Sequence, residues 1–258
     1  MPVIIGRPFR KLTPNTLYYT TIIAASPTLY WKLDESGPFT TGYIANDSSG
    51  NNLHGVYMNG ALITNEVSLV SNDAGNSKYF PDSANQYVSG TIDTFQSLVF
   101  PFTLEIWFDV DLTQTNYLFA SNAGAPGYSG MEVTLIADGN VQVGFGDGSG
   151  LASAEYRKTY RTTTAPLTAN QKTHLVAVCT DMDTVTLYIN GSQIPVSLYS
   201  GTGTSLGVNG TGTYPVVSSS WVGGNLNTKG YIDEVAFYLY ELTALQITEH
   251  YGIGAGTI

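Results

Sequence analysis

The sequence predicts an all-β domain, a two-sheet antiparallel jelly-roll sandwich with an N-terminal arm and a short C-terminal helix. Three observations carry that expectation. Apolar residues after Leu29 recur mostly at every second position, 28 glycines and many Ser, Thr and Asn separate short runs, and helical capping chemistry is clear at one place only. Period two sends alternate side chains to opposite faces of a strand. Many short strands without intervening helices argue for a sandwich or jelly roll.

In chain order, Thr13-Pro14 opens a short helix over Asn15–Ala25, stopped before Pro27. Phe102, Leu104, Ile106, Phe108 and Val110 alternate with Thr103, Glu105, Trp107, Asp109 and Asp111, a long strand with one face in the core. Glu105, Asp109 and Asp111 then share the other face, which is expected to be solvated. Met131–Ala137 and Asn140–Phe145 flank Asp138-Gly139, a hairpin signal. Gly144-Phe145-Gly146-Asp147-Gly148 lacks the Lys and helix of a phosphate loop and reads as a hairpin end. His174–Thr180 and Val185–Ile189 pair around Asp181-Met182-Asp183, and Asn190-Gly191 turns into Ser192–Val196. Gly201–Gly212 reads as a long surface loop and Tyr231–Tyr240 as another long strand. Thr243 and Gln246 make a capping box, with Leu242 and Ile247 as the hydrophobic staple and Gly252 at the exit of about two turns. No linker divides residues 29–252, so the chain is read as an arm, 1–28, and one body, 29–258.

Charge narrows the function. Residues 1–33 hold Arg7, Arg10, Lys11 and Lys32 with no acid, against a net charge of −10 for the chain. An acidic body disfavours nucleic acid, which needs clustered cations. A single cysteine excludes an internal disulfide and a multi-cysteine zinc site. No run approaches the ~18 apolar residues of a membrane helix. Tyr18–Thr21 dilute the apolar part of a would-be export signal, so cleavage is not expected. The basic arm suits docking on an acidic surface.

Five short motifs follow in a telling order: Tyr30-Trp31-Lys32-Leu33-Asp34-Glu35, Asp47-Ser48-Ser49-Gly50-Asn51-Asn52-Leu53-His54-Gly55, Phe102–Trp107, Leu187-Tyr188-Ile189-Asn190-Gly191 and Gly230–Tyr238. Over roughly residues 26–251 the chain resembles the laminin-G-like, concanavalin-A-like jelly-roll superfamily. It departs from the family at Thr173, where a Trp is usual. The resemblance implies two curved sheets with a concave face, and a calcium site joining an early loop to a late strand. Carried over, that site is Asp47, Asn52 and Asp233, with Gly50 as a carbonyl donor. The competing reading of Asp47–Asn52 is an Asx turn. The resemblance extends to virion proteins of bacterial viruses.

Catalytic sets are weak. Glycosidases need two carboxyl groups at set separations, and Glu105-x-x-x-Asp109-x-Asp111 does not match the hydrolase spacing. His54, His174 and His250 are not expected to form a site, and Cys179 reads as a buried structural thiol. Tyr117, Tyr128, Tyr156, Tyr160, Tyr199 and Tyr214 are candidate sugar-stacking rings. The expected function is therefore a non-enzymatic virion fibre or decoration protein, located on the particle. It would be anchored by residues 1–28 to other virion proteins, homo-oligomeric, and presenting a jelly roll to cell-surface glycans. The alternative is an extracellular lectin-like module; a glycoside hydrolase comes third.

Overall fold

The computed structural model describes residues 14–258 apart from 72, 82–84, 92–94, 96–97, 122–128, 152, 209–214 and 221–226. Two antiparallel sheets face each other, as the alternation predicts. The first orders Ser192–Ile194, Val185–Ile189, Thr173–Cys179, Phe102–Val110, Lys229–Tyr238, Asn76–Pro81 and Thr64–Val67, with Leu29–Trp31 also paired to Lys229–Tyr238. The second orders Val196–Ser200, Arg157–Thr162, Val141–Asp147, Ser129–Leu135, Asn116–Ala120, Val216–Val217, Tyr87–Gly90, Gly55–Met58 and Tyr43–Ala45. Leu104, Ile106 and Phe108 from one sheet and Val133, Val143 and Phe145 from the other belong to one buried cluster between them.

Turn chemistry places most strand ends. Asn190 (φ 51°) and Gly191 (φ 73°) are both left-handed, as a two-residue hairpin loop of this kind requires. Two local expectations need correction. Ser192–Val196 is not one strand: Pro195 lacks the N–H of a ladder donor, so Ser192–Ile194 stays in the first sheet and Val196–Ser200 joins the second. The C-terminal helix, α2, does not leave at Gly252. It spans Ala244–Ala255 and ends on left-handed Gly256 (φ 71°), while its start carries the expected capping box of Thr243 and Gln246. Buried glycines explain the extra turn. A Cβ on Gly254 would lie 2.5 Å from Trp107 Cζ2 and 2.9 Å from Tyr18 Cε2, so only glycine lets α2 rest against these rings.

The larger correction concerns the outer face of the first sheet, which is partly exposed at Asp109 and Asp111, as expected, but sealed at its centre around Glu105. Helix α1, Pro14–Ala24, packs beside α2, and both contribute to a second apolar layer. Tyr18 and Ile22 of α1 and Ile247 and Ile253 of α2 are buried there with Trp107, Val176, Val178 and Tyr238 of the sheet. The arm is therefore divided: Pro14–Ala24 packs into the body, and residues 1–13 lie outside the described residues.

Glu105 sits at the centre of this layer, fully buried. Its carboxylate meets His174 Nε2 at 2.9 Å, His250 Nδ1 at 2.9 Å and the Tyr238 hydroxyl at 2.8 Å, with the Tyr18 hydroxyl at 3.5 Å. Tyr18 accepts in turn from Trp107 Nε1 at 2.8 Å. Two of the three histidines, His174 and His250, thus converge on one carboxylate. Burial alone would push the Glu105 carboxyl up, yet the charge and hydrogen bonds of His250 and His174 hold it well below the usual carboxylate range. Burial disfavours the charged His250 ring, but Glu105 overrides it and raises its pKa.

Removing one partner of such a buried set leaves the others unpaired, at a cost of about 3–5 kcal/mol. Glu105→Ala is expected to lose stability on that scale by denaturant titration, against a small effect for Asp111→Ala, whose Lys229 partner is partly exposed. Because His250 has a raised folded-state pKa, its contribution is full below about pH 6.5 and fades as pH climbs through the folded value. The stability difference between the native chain and His250→Asn should shrink as pH rises above about 6.5; a constant difference would show an uncharged ring.

Candidate functional site

Among the described residues no helix covers the outer face of the second sheet, and a groove of about 570 Å³ crosses it. Register builds it. Ala120, Glu132, Gly144 and Thr159 face one another in successive strands, next to the row Gly130, Gly146 and Arg157. On the other side run Tyr117, Thr134, Gln142 and Arg161. Alanine and glycines in neighbouring strands remove the side chains that would fill the face. Gly144 and Gly146 are thus strand residues of the groove floor, not the hairpin end that the sequence suggested, and only Gly148 (φ 73°) ends the strand.

The walls are polar. Tyr117, Glu132, Thr134, Gln142, Arg157 and Thr159 line the groove. Glu132 is half-buried and accepts from the Thr134 hydroxyl at 3.1 Å. Burial pushes its carboxyl up to about 7, against the lowering effect of that hydrogen bond. Burial, with Glu132 nearby, also raises Tyr117. Further along, Arg161 pairs with Asp138 and lies over the Tyr199 ring, 5.1 Å from its centroid. Such an arrangement offers hydroxyl-binding acceptors, amide and guanidinium donors and one ring around an open trough.

Of the six candidate tyrosines, Tyr117 alone lines this groove among the described residues. Tyr160 is in the core and donates to the Met182 carbonyl at 3.1 Å; Tyr199 is exposed under Arg161; Tyr156 closes a short 3₁₀ turn, Ala154–Tyr156. Tyr128 and Tyr214 lie outside the described residues. Glu105 and Asp109 belong to the first sheet and Asp111 follows their strand; none of the three lines the groove. Cys179 is buried, which pushes its thiol up and keeps it protonated.

The four proposed calcium positions do not share an oxygen cage. Asp47 Oδ1 accepts from the N–H groups of Tyr30 and Ser49, both at 3.0 Å. Its Oδ2 accepts from the Ser49 hydroxyl at 2.7 Å and the Leu53 N–H at 2.9 Å. The loop closes with the Asp47 N–H donating to His54 Nδ1 at 3.1 Å, while Gly50 (φ 91°) and Asn52 (φ 59°) take left-handed turn conformations. Asp233 instead accepts from the Ser68 hydroxyl and the Leu69 N–H, each at 2.8 Å, with the Lys32 ammonium as its nearby cation. No group of three or more metal-ligating side chains occurs among the described residues. A calcium ion on Asp47 has to displace four donors, so the residues do not fit it, and equal melting temperatures are expected in chelator and in millimolar calcium.

No curated protein sequence matches this chain. Among solved structures, the binding domain of Paraclostridial Mosquitocidal Protein 1 is similar at 14% identity and a TM-score of 0.60, covering 89% of this chain and 52% of that one. The ligand-binding domain of botulinum neurotoxin serotype D, in complex with N-acetylneuraminic acid, is similar at 14% identity and a TM-score of 0.59, covering 91% and 52%. The chain thus spans about half the length of these domains. Domain 4 of AbnA, an extracellular arabinanase from Geobacillus stearothermophilus, in complex with arabinotriose, is similar over nearly its whole length: 19% identity, a TM-score of 0.53, covering 88% and 98%. These likenesses establish the fold alone. A family model of the concanavalin A-like lectin/glucanase superfamily, of laminin-G type, matches residues 82–248, and the chain belongs to that family.

Proposed function

We propose that the chain is a non-enzymatic carbohydrate-binding protein that holds a saccharide in the groove on its second sheet. The observation that carries this reading is the trough of Ala120, Gly130, Gly144 and Gly146 walled by hydroxyl, amide, carboxyl and guanidinium groups. A sugar presents hydroxyls around its rim and an apolar ring face, and this wall has partners for both. Neighbours of the same fold that hold N-acetylneuraminic acid and arabinotriose support it. Hydrolysis by paired carboxyls needs a second acid; among the described lining residues Glu132 is the sole carboxyl.

The setting we infer is adhesion on a virus particle, with residues 1–13 as the attachment segment. Its support is charge: Arg7, Arg10 and Lys11 give that segment a formal +3 without an acid, leaving −13 on the remainder. The extracellular arabinanase domain favours a second reading, a secreted lectin-like module, which needs no particle partner.

Both parts are testable. A Cβ at Gly144 meets only Thr159 Oγ1, at 3.6 Å, so Gly144→Phe projects a ring into the trough without a backbone clash. On a glycan array it is expected to weaken binding by at least about tenfold while the melting temperature holds or rises, since glycine weakens a strand interior. Undiminished binding would place the saccharide elsewhere. Deleting residues 2–13, but not the core residues Tyr18 and Ile22, should leave a folded protein that no longer attaches to particles; full attachment would refute the anchor.

A further inference from the structure

The chemistry of the groove is asymmetric, and its carboxyl group is the unusual part. Glu132 stands in the middle strand of the floor, opposite Ala120 on one side and Gly144 on the other. Neither neighbour has a side chain that reaches it, so its one donor in the groove is the Thr134 hydroxyl. The groups facing it from each packed strand are few. Asn116–Ala120 supplies the Tyr117 phenol, Val141–Asp147 supplies the neutral Gln142, and Arg157–Thr162 supplies Arg157, the groove's sole cation among the described lining residues. Arg157 pairs with Gly146, two strands from Glu132 and in the adjoining row. Its charge does not figure among the influences on Glu132, which are burial and Thr134 alone. A half-buried carboxyl lacking a cation has unused acceptor capacity, and a ligand that brings two hydroxyl donors can satisfy both oxygens.

We propose that Glu132 is the sugar-facing acceptor of this groove, that it selects neutral saccharides with adjacent hydroxyls over uronate- or sialate-bearing chains, and that its protonation gates their binding. This deepens the carbohydrate-binding reading and rests on it. The selection follows from charge. As a carboxylate, Glu132 accepts from two hydroxyls and repels a second carboxylate placed beside it in the groove. Once it is protonated, one oxygen becomes an O–H donor, and the charge that strengthened both acceptors is gone. Burial holds its folded-state pKa near neutrality, at about 7, so the free site is mostly protonated at pH 5.5 and mostly ionised at pH 8. Hydroxyl donors stabilise the ionised form, so binding expels a proton at acid pH, and affinity rises with pH.

The test measures titration calorimetry of the full chain with the best neutral oligosaccharide from a printed array, at pH 5.5, 6.5 and 8.0, and with a sialylated oligosaccharide at pH 8.0. Expected are a rise in neutral-sugar affinity of roughly tenfold or more from pH 5.5 to 8.0, proton release at pH 5.5 seen as buffer-dependent heat, and weaker binding of the sialylated chain. Glu132→Gln should bind the neutral sugar with the same affinity at all three pH values. That variant is expected to fold, since it removes a carboxylate that burial destabilises at pH 8. PH-independent binding by the native chain, a pH slope that survives Glu132→Gln, or preference for the sialylated chain overturns this assignment but leaves the groove reading standing. No binding of any saccharide, in native chain and Gly144→Phe alike, overturns both.

Discussion

The fold depends on one buried carboxylate being surrounded by donors from four separate parts of the chain. Glu105 gathers Tyr18 from α1, His174 and Tyr238 from neighbouring strands, and His250 from α2. An isolated buried charge is prohibitive. The carboxylate therefore requires all these elements in place together, and it ties both ends of the chain to the centre of the first sheet. Apolar packing of Ile22, Ile247 and Ile253 supplies area around it, while the polar centre fixes which residues must meet.

That constraint divides the two outer faces. One sheet is sealed by helices at its centre, so Glu105 and the groups around it are structural. The other keeps an open face, where small residues in adjoining strands leave a trough bordered by groups suited to sugar hydroxyls. The division also separates acid chemistry in the molecule. Glu105 is held ionised by its histidines, Asp233 is capped by Ser68 and Leu69, and Glu132 faces the groove with one hydroxyl donor.

The strands were legible because their signals are local. Period-two runs such as Phe102–Val110 and turns such as Asn190-Gly191 depend on adjacent residues, and the structure has them where they were expected. The sealed face was not legible from Glu105 and Asp109, because its covering residues, Tyr18 and His250, are far away in sequence. A signal did exist: Leu175–Cys179 is apolar on both faces, as a strand covered on both sides must be. The groove was hidden for a different reason. Gly144 and Gly146 read as part of a hairpin end, and only cross-strand register puts them beside Gly130 and Glu132. The Asp47 loop is a mixed case: the local reading, an Asx turn, describes the bond from the Ser49 N–H, while the bond from the Tyr30 N–H ties the loop to a strand seventeen residues away.

The most direct test of the account is an amide chemical-shift map of the protein titrated with a bound saccharide. The account predicts perturbations centred on Gly130, Glu132, Gly144, Gly146 and Thr159. Shifts confined to α1, α2 or the Asp47 loop, with these five residues unmoved, would contradict it.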